Sequence, residues 1–151
     1  MYISVQKSTS LARSATAVRE FLWDLKNLAR FEPKVDRVTV APESTSYGSY
    51  VASGRFAGLP YQATFSYERK DNGLDSKMLS GPRGVSSRGI FIVVGQGNRR
   101  CTVTHIEQYE FPGWSNVIRP LLKAYLNNSI SREMRNLKSA MSMFRPRAIA
   151  A

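Results

Sequence analysis

Three side chains that can exchange protons occupy alternate positions in the second half of the sequence. His105 is the only histidine, and Glu107 and Tyr109 follow it at steps of two. Alternate residues of a strand share one face and lie ~7 Å apart, so these groups could act on one substrate or share a bridging water. Because histidine titrates near neutral pH, His105 is the natural proton carrier of an enzyme, and Glu107 would orient it.

A structural role is the alternative for the same residues. Buried polar side chains are usually hydrogen-bonded parts of a fold, and this is the commoner case. His105 and Glu107 would then satisfy each other, Arg55 or a backbone group at the rim of a cavity. Both interpretations stay open at this point.

The strand that carries His105 is the last of seven predicted strands, at residues 2–11, 35–41, 47–57, 61–70, 74–80, 85–94 and 100–111. Glycine and short polar residues separate them at 58–60, 71–73, 81–84 and 95–98. Such short connections predict an antiparallel meander. Tyr61, Ala63, Phe65 and Tyr67 alternate with polar residues, which indicates one covered and one solvated face.

Two helical regions complete the predicted elements. Ser14 can cap a helix with apolar residues at helical spacing, which must end before Pro33; two short helices with a break near 26–27 fit equally well. The second region begins at Pro120 or is kinked there. Its apolar residues repeat at steps of three or four and predict one long helix. They are Leu126, Ile130, Met134, Leu137, Met141 and Phe144.

This order of elements, with the segments ARSATAV at 12–18 and FLWDL at 21–25, resembles the START-like, Bet v 1-like superfamily. The segments THIEQYEF at 104–111 and EMRNLK at 133–138 are similar to the last strand and helix of its small bacterial members. The superfamily includes polyketide cyclases and dehydratases as well as lipid carriers. The resemblance implies a single α+β domain over 1–151 with a helix-grip fold, in which a curved antiparallel sheet encloses a cavity against the long C-terminal helix. It implies no shared catalytic residues.

Aromatic residues of the predicted strands are candidates for the sheet wall of that cavity, although they would equally fill an ordinary core. Arg55 is a candidate at its rim, and the helix would supply the opposite wall. The candidate ligand-binding residues are Tyr50, Arg55, Phe56, Tyr61, Phe65, Tyr67, Phe91, Tyr109, Leu126, Ile130 and Met134.

The chain has a net charge of +11, of which +6 falls in residues 115–147, where Glu133 is the only acid. Arg132, Arg135 and Lys138 of this segment could simply keep a helix solvated, or they could attract an anionic membrane, nucleic acid or the ribosome. One cysteine and one histidine cannot make an ordinary zinc site, and no glycine-rich phosphate motif is present. We therefore predict no metal and no cofactor.

Three functional hypotheses follow. The first is binding of an apolar or aromatic small molecule, with possible polyketide cyclase or dehydratase activity. The second is a lipid or quinone carrier that docks on anionic membranes, and the third is an interaction module for ribosomes or RNA. No secretory signal and no apolar stretch of ~20 residues are evident, so a cytoplasmic location is expected. The ligand and the oligomeric state stay open.

Overall fold

Seven strands form one antiparallel sheet in the computed structural model, which describes residues 1–145. Strands β2 to β7 pair in sequence order, and β1 closes the series by pairing with β7. The predicted meander is therefore confirmed. The strands are β1 (Tyr2–Leu11), β2 (Arg37–Pro42), β3 (Tyr47–Phe56), β4 (Leu59–Lys70), β5 (Gly73–Ser80), β6 (Ser86–Gly95) and β7 (Cys101–Glu110).

The connection between β3 and β4 is tighter than its sequence suggested. Ala57 and Gly58 are the only two residues between the strands, and both have positive φ, 49° and 81°. Two such residues match the twist of a hairpin. The prediction of a turn at 58–60 was wrong in its bounds, since Leu59 and Pro60 already pair with Phe56 and Arg55.

The first helical region is broken, as one of the two predicted alternatives had it. Helix α1 (Ala15–Trp23) begins with the Ser14 hydroxyl accepting from the Ala17 amide at 3.2 Å. Asp24 leaves helical geometry, with ψ of 94°, and a 3₁₀ segment (Leu25–Asn27) leads into α2 (Leu28–Phe31). The break turns α2 toward the C-terminal helix, which it contacts.

After β7, a 3₁₀ turn (Gly113–Ile118) leads into the long helix α3 (Arg119–Met143). Pro120 lies in its first turn, so the helix starts there and is not kinked. The predicted apolar stripe is buried against the sheet from Leu126 to Met141. Phe144 follows the helix and packs edge-on against Phe21 at 5.1 Å.

The buried apolar residues form two clusters. One surrounds α1, α2 and the second half of α3, and includes Phe91 and Val103. The other joins β1 to the first half of α3 and includes Tyr109 and Phe111. Along β7, His105 and Glu107 lie between Val103 of the first cluster and Tyr109 of the second. The apolar interior is therefore interrupted where the candidate proton carriers stand. This architecture is the predicted α+β helix-grip fold.

Candidate functional site

A cavity of about 450 Å³ lies between the sheet and the helices. Its lining is mostly apolar and includes Leu28, Ala52, Leu74, Met78, Ile118 and Leu122, with Lys34, Glu32 and Glu133 as charged or titratable members. Leu59, Arg83 and Trp114 line it at exposed positions, so they mark its mouth. A pocket of this size and character suits a small, largely apolar molecule.

Most of the sequence-predicted site residues line this cavity. His105 and Glu107 lie on its wall, both buried. Residues from four strands contribute the aromatic part of the lining. Of the predicted ligand-binding residues, Tyr50, Phe56, Tyr61, Phe65, Phe91 and Tyr109 line the cavity.

The placement of Arg55 at the rim beside His105 was wrong. Alternate residues of β3 face inward, as Gly54 and Phe56 show, so Arg55 points to the outer face. Its guanidinium is exposed and donates to the Gly58 carbonyl at 3.3 Å. A lysine from another segment takes the role that was predicted for Arg55.

Four predicted wall residues lie outside the cavity lining. Tyr67 is buried farther along β4, where its ring lies 6.1 Å from Tyr50. Leu126, Ile130 and Met134 are buried core residues, so the prediction of them as the helical wall was wrong. Helix α3 instead contributes Leu122 and Glu133 to the lining.

Lys34 stands at the centre of a buried polar cluster. Its ammonium Nζ lies 3.0 Å from Glu32 Oε1 and 3.3 Å from Glu107 Oε1, and it donates to Ser129 Oγ at 3.1 Å. The hydroxyl of Tyr109 donates to the other oxygen of Glu107 at 2.6 Å. The loop after α2, strand β7 and helix α3 are thus tied together through one cation.

His105 belongs to the same cluster through the helix. Its Nδ1 lies 2.9 Å from Glu133 Oε2 and 3.5 Å from Glu107 Oε1. Its ring stacks on Phe91, its cross-strand neighbour, with centroids 3.9 Å apart and planes 5° apart. Gly89 on β6 would bring a Cβ only to 3.4 Å from His105 Nε2, so that nitrogen is left uncrowded. The ring is held at one nitrogen and open at the other.

Backbone packing fixes the position of Lys34. A Cβ on Gly54 would lie 2.0 Å from the Lys34 carbonyl oxygen, so only glycine admits this close approach of the loop to β3. The Tyr61 hydroxyl donates to the same carbonyl at 2.8 Å. Both contacts direct the lysine side chain from the rim of the sheet toward the interior.

Burial and neighbouring charges shift the pKa values of Glu133 and Glu107 in opposite directions. Burial raises the pKa of Glu133 well above its usual value, and the nearby Glu32 and Glu107 add to the effect. For Glu107, burial opposes ionisation, but Lys34 and His105 outweigh it and lower the pKa to about 2. Near neutral pH, Glu107 is therefore a carboxylate, whereas Glu133 keeps its proton to a higher pH than an ordinary glutamate does.

Burial and the same neighbouring charges also shift the pKa values of His105, Lys34 and Tyr109. Burial lowers the pKa of His105 to about 4, so its imidazole is neutral at neutral pH. Burial also disfavours the Lys34 ammonium, but Glu32 and the other acids raise its pKa well above the usual value. Burial and Glu107 raise the pKa of Tyr109, which stays a neutral donor.

One carboxyl oxygen in the cluster is unused. Glu133 Oε1 is buried and has no hydrogen-bond partner among the described residues. Buried polar atoms are nearly always paired, so this unpaired oxygen is an exception in the interior. The group that the cluster offers to a ligand is the imidazole edge of His105.

Within residues 1–145, His105, Glu107 and Glu133 could each offer a ligand atom to a metal, since these atoms lie within 4.8 Å of one another. However, Lys34 already neutralises Glu107, and Glu133 is bonded to His105. The donor set is engaged in proton and charge pairing, which fits acid–base chemistry better than metal binding.

Sequence reasoning missed Glu32, Lys34, Ser129 and Glu133 as site residues. The spacing of Glu133 could have revealed it. It lies three residues after Ile130 and four before Leu137, which places an acid on the apolar face of the helix. Ser129 lies four residues before Glu133 on the same face. Glu32 and Lys34 had none, since they flank a proline in a loop.

The basic residues Arg132, Arg135 and Lys138 are exposed on α3. Arg147, which belongs to the same basic segment, lies outside the described residues. No helix in the described range combines the length and apolar character that crossing a bilayer requires.

No protein-family model and no curated protein matches the sequence. Solved structures do match. The Zhui aromatase/cyclase from Streptomyces sp. R1128 superposes with a TM-score of 0.81 at 15% identity, over 94% of each chain. A START superfamily protein from Mycobacterium smegmatis gives a TM-score of 0.77 at 14% identity, over 92% of this chain and 97% of that one. Norcoclaurine synthase from Thalictrum flavum gives 0.67 at 12% identity, over 94% and 95%.

These likenesses establish the fold. The chain has the START-like, Bet v 1-like helix-grip fold, as its sequence order predicted. At such identities the similarity carries no residue role and no substrate from those proteins to this one.

Proposed function

We propose that this protein binds an aromatic or polyketide-like carbonyl compound in its cavity and catalyses proton transfers that close or dehydrate a ring. One observation carries the proposal. Proton-exchanging side chains from the loop after α2, from β7 and from α3 converge on one wall of a cavity that is otherwise mostly apolar. Polyketide aromatase/cyclases among the structural neighbours support the same class of chemistry.

The free energy needed to bury these charged groups suggests that the cluster has a role beyond stabilising the fold. Removing an ammonium and carboxylates from water is expensive, and apolar residues of similar volume often stabilise a core equally well. Glu133 is completely buried, and Lys34, His105 and Glu107 are nearly so. A cluster that gains little stability for its burial is better explained by a role in binding or catalysis.

In this proposal His105 carries the proton. When Glu133 donates to Nδ1, the Nε2–H can protonate a substrate oxygen while the Glu133 proton moves to Nδ1 and leaves a carboxylate. The reverse movement removes a proton from the substrate. Glu133 therefore takes the orienting role that the sequence suggested for Glu107.

Glu107 has a different part in the same mechanism. As a carboxylate held by Lys34 and Tyr109, it keeps the charge of the cluster balanced and the hydroxyl of Tyr109 in place. The aromatic lining would fold a flexible substrate and bring its reacting carbons together.

A carrier for an apolar small molecule is the second candidate. It is favoured by the apolar character of most of the lining, including Leu28, Ala52, Leu74 and Met78. The same cavity would then bind its ligand without turnover, and the measurement of turnover separates the two candidates.

The test compares affinity with turnover. We expect the native protein to bind 2-naphthol and to convert a synthetic poly-β-ketone into a cyclised product that has lost water. His105→Gln should keep the affinity for 2-naphthol within a few-fold, while turnover falls by ~100-fold or more. Arg55→Gln, on the exposed outer face, should change neither value.

Turnover that survives in His105→Gln would contradict the catalytic role of this residue. Binding of 2-naphthol without any turnover by the native protein would favour the carrier. Absence of binding would overturn both candidates.

A further inference from the structure

Large apolar side chains stand in solvent around the mouth of the cavity. Leu59 on the β3–β4 hairpin is 71% exposed, and Trp114 in the 3₁₀ turn before α3 is also 71% exposed. Val117 and Leu121, farther along the same stretch, are 84% and 72% exposed. Scattered exposed apolar residues need no explanation, but a group of them around one opening marks an interaction surface.

The stretch that leads into α3 is apolar on two sides. Ile118 and Leu122 line the cavity, whereas their neighbours Val117 and Leu121 point outward and do not contribute to its lining. A helical stretch that is apolar on more than one face is normally buried on each. The outer face therefore lacks its partner among the described residues.

The charged residues of the segments around this opening all have one sign. The three segments that form it are 56–60, 82–85 and 113–123, and none contains Asp or Glu. Their charged residues are Arg83, Arg119 and Lys123, each of which is exposed. Apolar protrusions within a ring of cations complement a surface that is anionic outside and apolar beneath.

We propose that the mouth of the cavity docks on an anionic phospholipid bilayer, with Trp114, Val117 and Leu121 at the boundary between headgroups and acyl chains. Tryptophan is enriched at this depth, and arginine and lysine beside it contact the phosphates. Electrostatic attraction acts within about 10 Å of the membrane at 0.1 M salt. An apolar ligand could then enter the cavity without crossing water.

A second copy of the chain is a poorer occupant for this surface. A two-fold interface brings the same patch of both copies together, so the three cations of one copy would face those of the other. In an anionic bilayer the phosphates complement the cations, and the acyl chains accommodate the exposed apolar side chains. This inference goes beyond the proposed function and holds for an enzyme or a carrier.

Vesicle co-sedimentation tests the proposal. We expect the native protein to bind vesicles of equal parts phosphatidylserine and phosphatidylcholine and to bind pure phosphatidylcholine much more weakly. Val117→Ser/Leu121→Ser should weaken binding at least tenfold, and Arg119→Ser/Lys123→Ser by roughly fivefold per charge removed. None of these four residues lines the cavity. Both variants should therefore bind 2-naphthol in solution as the native protein does, which separates failure of docking from failure of the cavity hypothesis.

The matched control is Arg132→Ser/Arg135→Ser, which removes the same charge from the same helix. Position 135 lies roughly 21 Å along the helix from position 121, beyond the screening length. Its vesicle binding should stay close to native. A larger loss in this control than in Arg119→Ser/Lys123→Ser would overturn the proposal, because the basic face of α3 would then be the attachment site.

Three other results would also overturn it. They are no binding to the anionic vesicles at low salt, binding that is unchanged in Val117→Ser/Leu121→Ser, and a concentration-dependent dimer in solution that this variant abolishes. Quenching of Trp114 fluorescence by brominated phosphatidylcholine in mixed vesicles, lost in Trp114→Phe, would support insertion at the proposed depth.

Discussion

Helix α3 presents two rows of buried residues to the sheet, and they differ in kind. One row, with Ile130, Leu137 and Met141, packs into the apolar clusters. The adjacent row carries Ser129 and Glu133, which meet Lys34 and His105. Both rows are buried, but only the first gains stability from burial alone. Burial in this molecule therefore serves packing in one row and holds a hydrogen-bonded polar cluster in the other.

The largest expected effect comes from removing one charge of the buried cluster that the polar row contacts. Glu107→Ala removes an acceptor of both Lys34 and Tyr109 in the interior, so the free energy of unfolding should fall by about 3–5 kcal/mol in urea titrations. Glu68→Ala breaks the exposed pair with Lys70 and should change it by about 1 kcal/mol or less. Equal losses of unfolding free energy in the two variants would mean that the contacts of Glu107 with Lys34 and Tyr109 stabilise the fold no more than an exposed ion pair does.

The buried cluster around the polar row should also respond to pH, through His105, whereas the apolar row has no titratable group. The pKa of His105 is about 4 in the folded protein against 6.5 for the free side chain, so the unfolded chain binds the proton more readily. The contribution of His105 is thus complete above pH 6.5 and is lost as the pH falls toward 4.

The measurement is the difference in unfolding free energy between the native protein and His105→Gln. That difference should shift by about 1.5 kcal/mol between pH 6.5 and 5, to the disadvantage of the native protein. The titration of Glu133, which has the opposite sign, is present in both proteins and cancels to first order. A constant difference across this range would show that the imidazole is not buried in its neutral form.

The smallest effect concerns volume and distinguishes packed from open regions. Ile130→Trp overfills the apolar row and should cost about 1–3 kcal/mol of stability, with little effect on 2-naphthol affinity. Ser76→Phe projects into the cavity and should lower that affinity at a smaller cost in stability. If Ile130→Trp instead abolishes 2-naphthol binding without loss of stability, the ligand lies on the apolar row.

Periodicity placed several of the predicted residues where the structure has the cavity wall. The alternation of β7 brings His105 and Glu107 together on a buried face, and six of the aromatic candidates line the cavity. Arg55 was misplaced although the alternation of its own strand puts it outside. The stripe of α3 was recognised as buried, but burial against the sheet and contact with a cavity are different properties that spacing does not separate.

What the sequence determined by itself was the order of elements, the faces they bury and thus the fold, because period two and period 3.6 are local properties of the chain. The tertiary structure alone decided which polar groups meet. Lys34 reaches Glu107 across 73 positions of sequence, and Glu133 reaches His105 across 28. The strength of such pairs depends on distance and on exclusion of water, and both exist only after the sheet has closed on the helix.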